Sequence, residues 1–196
     1  MPPAEDIFRQ LLGAWRMMIG KRDGLRLLDL SLDGFWNSFF AIVVALPAML
    51  ASWVPLAGEL AAEASFPLRL SMLVRLALVD VGAWVLPLVA LAAVADHAGI
   101  RHRFVHYVVA TNWGSAIFAW MTLPVSLVRL IFPANVDLAA GLSLIVFIAT
   151  LVLYWRLTNA ALEKGAVTAS AVFGGMLAAS LVTLFALQDI LGVAPA

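Results

Sequence analysis

The sequence lacks cysteine and carries little charge. None of its 196 residues is a cysteine, and only 12% are charged. The absence of cysteine excludes disulfides, thiolate metal sites, a thiol nucleophile and lipidated cysteines. A soluble globular domain has about 25% charged residues, so the low charge excludes that class. The 12 basic and 12 acidic side chains cancel, which leaves no overall basic field for a nucleic acid, and we expect no such partner.

Motifs of catalysis are also missing from the sequence. It has no Gly-rich phosphate loop, no nucleophile elbow and no pair of carboxylates near a plausible pocket. His102 and His106 are four residues apart, a spacing that suits zinc, but they lack a cysteine and the intervening glutamate of metalloproteases. We therefore interpret them as surface histidines at a headgroup boundary. The sequence predicts a protein that is not an enzyme and holds no metal or cofactor.

Long apolar runs dominate what is present. Hydrophobic residues make up 64% of the chain, and a helix needs about 20 of them to cross the roughly 30 Å hydrocarbon core of a bilayer. Four runs are free of charge, and a fifth, Val81 to Ala95, has only 15 residues. Extending this run back through Asp80 to Leu76 makes it long enough to cross the membrane. The alternative is that the 15-residue run forms a re-entrant segment. The sequence thus predicts an all-α integral membrane protein with transmembrane helices at about 34–57, 70–95, 104–128, 138–156 and 165–188.

The distribution of Lys and Arg predicts how the chain is oriented. Nine of the 12 basic residues precede the first span or lie in the second-to-third and fourth-to-fifth connections. The other three are Arg69, Arg75 and Arg129. Because Lys and Arg favour cytoplasmic loops, we expect a multi-pass protein of the cell membrane, a bacterial inner membrane, with a cytoplasmic N-terminus and the C-terminus outside. Trp36, Trp53 and Trp155 lie near the ends of spans, where indole rings favour the lipid interface.

The chain divides into an N-terminal segment, 1–33, and a five-helix domain, 34–196. Apolar residues of the first segment recur at helical spacing and predict a short amphipathic helix; they are Ile7, Phe8, Leu11, Leu12, Trp15, Met18 and Ile19. We expect this helix to lie in the cytoplasmic headgroup layer, with Phe8 and Trp15 in the lipid interface. A docking site for a soluble partner is the alternative.

Asp80 is an acidic residue inside a predicted span. Such residues are expensive to bury and usually face a partner or a water-filled cavity. We expect a buried ion pair with Arg75 or Arg129, and the alternative is a proton or cation site. The sequence contains no second intramembrane carboxylate or histidine chain that would continue a relay.

The third span carries the densest polar patch of the sequence. Its members are His106, Tyr107, Thr111, Asn112 and Ser115. Asn112 falls near the middle of the membrane, where an unpaired amide is costly. We expect Thr111, Asn112 and Ser115 to bond to neighbouring helices, with substrate binding as the alternative.

The fifth span carries two stripes of small residues, Ser170, Gly174 and Ala178 beside Ala171, Gly175 and Ala179. Small residues allow helix backbones to approach closely in lipid. The stripes therefore predict helix packing, against a helix of the same chain, another membrane protein or a second copy.

The layout resembles that of the Yip1-like family of five-helix membrane proteins. The likeness covers residues 34–192 and lies in the amphipathic N-terminus, in "ADHAGIRHRF" leading into "VHYVVATNW", and in the hairpin "YWRLTNAALEKGAVTASAVFGG". The resemblance implies a role in membrane organisation and trafficking, which eukaryotic members perform through small GTPases. Their long acidic N-terminal region is absent here, so no GTPase contact is carried over.

These observations predict a non-enzymatic scaffold or partner-binding protein, in contact with the lipid bilayer and with a protein partner or a second copy. The alternative is a small transporter or channel subunit built around Asp80 and Asn112. A water-accessible cavity that reaches these two residues would favour transport, and a sealed polar cluster would favour the scaffold.

Overall fold

Helices account for every regular element in the described part of the protein. The computed structural model describes residues 2–60, 65–132 and 134–193, and within them the chain is all-α, without a strand. The helices are α1 (Ala4–Met18), α2 (Leu32–Ser38), α3 (Ala41–Leu60), α4 (Phe66–Val94), α5 (Phe104–Ile131), α6 (Val136–Leu162) and α7 (Ala166–Leu191). Two short 3-10 helices, Arg22–Leu27 and Arg101–Arg103, complete the described part. The predicted all-α class is confirmed.

Five helical stretches in the described residues are long and apolar enough to cross a membrane: Leu32–Gly58, Phe66–Val94, Arg101–Ile131, Val136–Leu162 and Ala166–Leu191. Their mean hydropathy lies between 1.5 and 2.4, as a multi-pass membrane protein requires. The first stretch joins α2 and α3 across a bend at Phe39 and Phe40. The doubtful second run is one continuous helix of 29 residues, longer than predicted, which removes the re-entrant alternative.

The five long helices close into a ring. In order around it, α3 packs on α5, α5 on α6, α6 on α7, α7 on α4, and α4 again on α3. Consecutive helices α4 and α5 are therefore not close neighbours. We call the end with the α2 start and the α6–α7 turn the proximal end, and the end with the α5–α6 turn the distal end.

Two glycines bring the helices of the ring together in pairs. At Gly82 of α4, an added Cβ would collide with Leu187 of α7. At Gly114 of α5, it would lie 2.5 Å from Leu157 Cδ2 of α6 and 3.0 Å from Met18 Cε. The absence of a side chain at these two positions lets Leu187 of α7 pack on α4 and Leu157 of α6 pack on α5, so α4 pairs closely with α7 and α5 with α6.

The N-terminal helix is packed on the bundle along one face. Ala14, Met17 and Met18 of α1 are fully buried, in a core cluster with residues of α5 and α6. The opposite face keeps Phe8 68% and Trp15 41% exposed. The amphipathic helix of the sequence thus has two apolar faces, one against protein and one exposed. Contact of the exposed face with lipid stays a prediction.

A polar joint links α1 to the first span. Gln10 Oε1 accepts from the backbone N–H of Asp29 at 3.1 Å, and Asp29 Oδ1 accepts from Ser31 N–H at 3.0 Å. Ser31 Oγ caps α2 by accepting from Gly34 N–H at 3.0 Å. Separately from this cap, hydrogen bonds that the side chain and the backbone N–H of Ser31 donate to Asp29 favour its charged carboxylate and lower the pKa of Asp29 below its usual value.

Candidate intramembrane polar site

Asn112 is the centre of a hydrogen-bonded cluster that joins three helices. Trp84 Nε1 of α4 donates to Asn112 Oδ1 at 2.9 Å, and Asn112 Nδ2 donates to Ser38 Oγ of α2 at 2.8 Å. Ser38 Oγ in turn donates to Phe35 O at 2.7 Å. Asn112 and Ser38 are fully buried. The amide is therefore used as an interhelical contact, the role that its membrane position called for.

Asp80 is hydrogen-bonded to an indole rather than to an arginine. Trp53 Nε1 of α3 donates to Asp80 Oδ2 at 2.6 Å, and Trp53 is 4% exposed. Trp53 was predicted at the lipid interface, but this hydrogen bond places it between α3 and α4. A charge-assisted hydrogen bond of this kind stabilises a carboxylate away from water.

The prediction that Asp80 forms an ion pair with Arg75 or Arg129 is wrong. Arg75 Nη1 donates to Leu191 O at the C-terminus of α7, at 3.0 Å. Arg129 Nη2 lies 3.5 Å from Ser143 Oγ of α6. Neither arginine forms an ion pair with Asp80 within the described part of the chain. Arg75 and Asp80 are five residues apart on α4, so their side chains point about 140° apart around the helix. Arg129 lies on α5, which α4 does not closely contact.

Thr111 and Ser115 face a cavity, although Asn112 between them does not. The cavity has a volume of about 310 Å³ and is lined by α4, α5, α6 and α7. Its hydroxyl groups belong to Thr111, Ser115, Thr150, Tyr154 and Ser180. Neither Asn112 nor Asp80 is among its lining residues. We refer to it as the ring cavity.

A second cavity, of about 440 Å³, lies between α3, α5 and α6 nearer the distal end. It contains Arg129 and the interhelical hydrogen bond between Ser52 Oγ and Ser126 Oγ, at 2.6 Å. Thr150 lines both cavities. Tyr154, which lines the ring cavity, stacks its ring on that of Phe118 with centroids 5.4 Å apart.

The remaining members of the polar patch lie near the proximal end of α5. Tyr107 is fully buried. Among the described residues, Tyr107 Oη, His106 Nδ1 and Thr158 Oγ1 are buried without a hydrogen-bond partner. No group of three potential metal-binding side chains occurs in the described ranges. The cluster is thus polar and uncharged at its core, with Arg103 and Glu163 paired at its rim.

The small-residue stripe of α7 is left largely uncovered by the described residues. Ser170, Gly174, Gly175 and Ala178 are exposed, and a Cβ added at Gly174 or Gly175 meets no atom within 4 Å. The buried residues of α7 instead lie on another face and include Ala169, Val172 and Met176. Trp155 Nε1 donates to Ser170 Oγ at 3.0 Å, so this tryptophan is tied to α7. Trp36 is 65% exposed, as a residue in lipid would be.

Sequence reasoning missed the two tryptophans that satisfy the buried polar groups. Trp53 was assigned to the lipid interface by its position, and Trp84 was not singled out. The position of Trp84 deep inside a span was a usable signal, because an indole N–H in hydrocarbon needs an acceptor.

The polar residues of the site therefore separate into a fully buried contact at Asn112, a partly buried contact at Asp80 and a hydroxyl-lined cavity. Comparison of the chain with protein-family models, with curated proteins and with solved structures found no match.

Proposed function

We propose that this protein is a non-enzymatic scaffold of the cell membrane that binds a protein partner, in the manner that its Yip1-like layout suggests. The observation that carries the proposal is the sealed state of Asn112, whose amide is fully buried and bonded to Trp84 and Ser38. A transport site needs polar groups that a solute can reach. Here Asn112 and Asp80 each hold two or more helices together instead.

The proposed setting is a bacterial inner membrane, with the N-terminus in the cytoplasm and the C-terminus outside. This orientation places the proximal end, with Arg101, Arg103 and Lys164, on the cytoplasmic side, as the distribution of basic residues favours. It also places the exposed Phe8 and Trp15 of α1 at the cytoplasmic headgroup layer.

The proposed partner-binding surface is the exposed small-residue face of α7, formed by Ser170, Gly174, Gly175 and Ala178. A helix in lipid gains little from hydrophobic contact, and close backbone approach at small residues replaces that driving force. Since no helix of the described chain covers Gly174 and Gly175, the covering helix comes from another membrane protein or a second copy.

Affinity purification in mild detergent tests this proposal. The wild-type chain is compared with Gly174→Leu, and Gly141→Leu serves as the matched control because Gly141 also has open space at its Cβ, on α6. We expect Gly174→Leu to release the co-purifying partner and Gly141→Leu to retain it. Co-expression of two differently tagged copies distinguishes self-association from a second protein. Equal retention of partners by both variants would contradict the proposed surface.

A small transporter or channel subunit is the second candidate. The ring cavity supports it, because Thr111 and Ser115 place hydroxyl groups inside the helix ring. The fully buried contact at Asn112 and the hydrogen bond that Trp53 makes to Asp80 count against it. Solute flux into proteoliposomes that contain the purified chain, with and without Tyr154→Phe, is the corresponding measurement.

A further inference from the structure

The ring cavity arises from the way in which the helices pair. Gly82 draws α4 onto α7, and Gly114 draws α5 onto α6. The hydrogen bond from Trp84 to Asn112 spans the interval between the two pairs, across which α4 and α5 make little direct contact. The cavity thus lies between two tight helix pairs, bridged on one side by a large indole.

The lining of the cavity combines hydroxyl groups with an apolar wall. Tyr154 on α6, Ser115 on α5 and Ser180 on α7 place hydroxyls on three helices, while Leu88, Phe173 and Met176 supply hydrocarbon, aromatic and thioether surface. Among the residues that the structure describes, no charged side chain lines the cavity. Thr111 Oγ1 donates to Tyr107 O at 2.8 Å, so its oxygen keeps lone pairs that accept a hydrogen bond.

This chemistry restricts what the cavity binds. A charged solute would have no counter-charge among the lining residues and would lose its hydration. A plain hydrocarbon, such as a lipid acyl chain, would make no hydrogen bond with the hydroxyls that three helices place in the cavity. An uncharged molecule with a polar end and a hydrocarbon part satisfies both halves of the wall. The volume of about 310 Å³ falls at the lower end of the range of small-molecule sites.

We infer that the ring cavity is a binding site for a small uncharged amphiphile. Its hydroxyl or carbonyl end bonds to Tyr154 and Ser115, and its hydrocarbon part packs against Phe173 and Met176. The inference does not depend on the scaffold function, because the α7 face that carries that proposal lies outside the cavity.

Photolabelling of the full-length wild-type chain in nanodiscs tests the site. The probe is an eight-carbon alcohol that carries a diazirine, and mass spectrometry locates the labelled residues. We expect saturable labelling at Tyr154, Met176 or Ser180. Three competitors of equal chain length separate the ligand classes: 1-octanol is expected to suppress the labelling at least tenfold more effectively than octanoate or n-octane.

Two substitutions separate recognition from folding. Tyr154→Phe removes one hydroxyl and keeps the ring, and we expect it to weaken competition by 1-octanol at least threefold. Thr122→Val, on the same helix as Thr111 but in the other cavity, is the control and should bind as the wild type does. Equal competition by n-octane, stronger competition by octanoate, or labelling spread without saturation over the exposed helix faces would each overturn the inference. Unchanged binding by Tyr154→Phe would do the same.

Discussion

The hydrogen bonds of Asn112 predict a measurable contribution to stability. Asn112→Leu keeps a side chain of similar size but removes the acceptor for Trp84 and the donor to Ser38. Ser38 retains its bond to Phe35 O, whereas the Trp84 N–H loses its acceptor. Interhelical hydrogen bonds in membranes average about 0.6 kcal/mol each, and an unsatisfied buried donor costs about 1–3 kcal/mol. The expected loss in the free energy of unfolding is therefore about 2–4 kcal/mol.

Thermal unfolding in nanodiscs, followed by circular dichroism, measures this loss. At about 2–4 °C per kcal/mol for a chain of this size, Asn112→Leu should lower Tm by roughly 4–16 °C. Adding Trp84→Phe removes the unsatisfied N–H, so the double variant should be less destabilised than the sum of the two single changes. Additive effects, or an Asn112→Leu variant as stable as the wild type, would refute the assignment of Asn112 to interhelical bonding.

Three further predictions concern other contacts and the topology. Trp53→Phe should lower the free energy of unfolding by about 1.5–3 kcal/mol, since it removes a hydrogen bond to a charged group. Asp80→Asn keeps an acceptor and should not destabilise, and the same melting assay applied to both variants would contradict the assignment if Asp80→Asn proved the less stable of the two. The lowered pKa of Asp29 stabilises the fold above its unfolded-state pKa of about 3.9, and this contribution is lost as pH falls through the lower folded-state pKa. The free energy of unfolding of the wild type and of Asp29→Asn, measured by denaturation from pH 7 to pH 2, should differ in favour of the wild type, and this difference should shrink only in the acid range. A difference that grows as the pH falls would contradict the lowered pKa. A periplasmic reporter should be active when fused to Ala196, which lies outside the described residues, and inactive when inserted at Glu163. Activity at both positions would contradict the proposed orientation of the chain.

The spans were predictable because length and hydropathy are properties of each segment alone. Even the interrupted second run could be assigned, since one carboxylate does not prevent a helix from spanning when an indole satisfies it. The partner of that carboxylate could not be assigned from sequence. Which side chain faces Asp80 depends on the order of helices in the ring, and this order separates the consecutive helices α4 and α5.

The polar patch of α5 shows the same limit on a smaller scale. Thr111 and Asn112 are neighbours in sequence, but successive helical residues point about 100° apart. Asn112 therefore meets α2 and α4, while Thr111 and Ser115 line the ring cavity. The packed face of α1 was hidden for another reason, because Gly13 and Ala14 contribute little to an amphipathic pattern. Ala14 is nevertheless fully buried in the core with α5 and α6, and Gly13 lies against Gly24 and Leu28 of the segment that follows α1.

Water access to the Asn112 cluster tests the central claim, that this intramembrane polar cluster is sealed from water. Because the chain has no cysteine, Ser38→Cys introduces a single thiol at a fully buried position, and Ser65→Cys introduces one at an exposed position before α4. A thiol reacts as the thiolate, which forms in water. With a small water-soluble methanethiosulfonate reagent in proteoliposomes, Ser65→Cys should be labelled and Ser38→Cys should stay unlabelled until the protein is unfolded. Labelling of folded Ser38→Cys at a rate similar to that of Ser65→Cys would show that solvent reaches the cluster, and would favour the transporter over the scaffold.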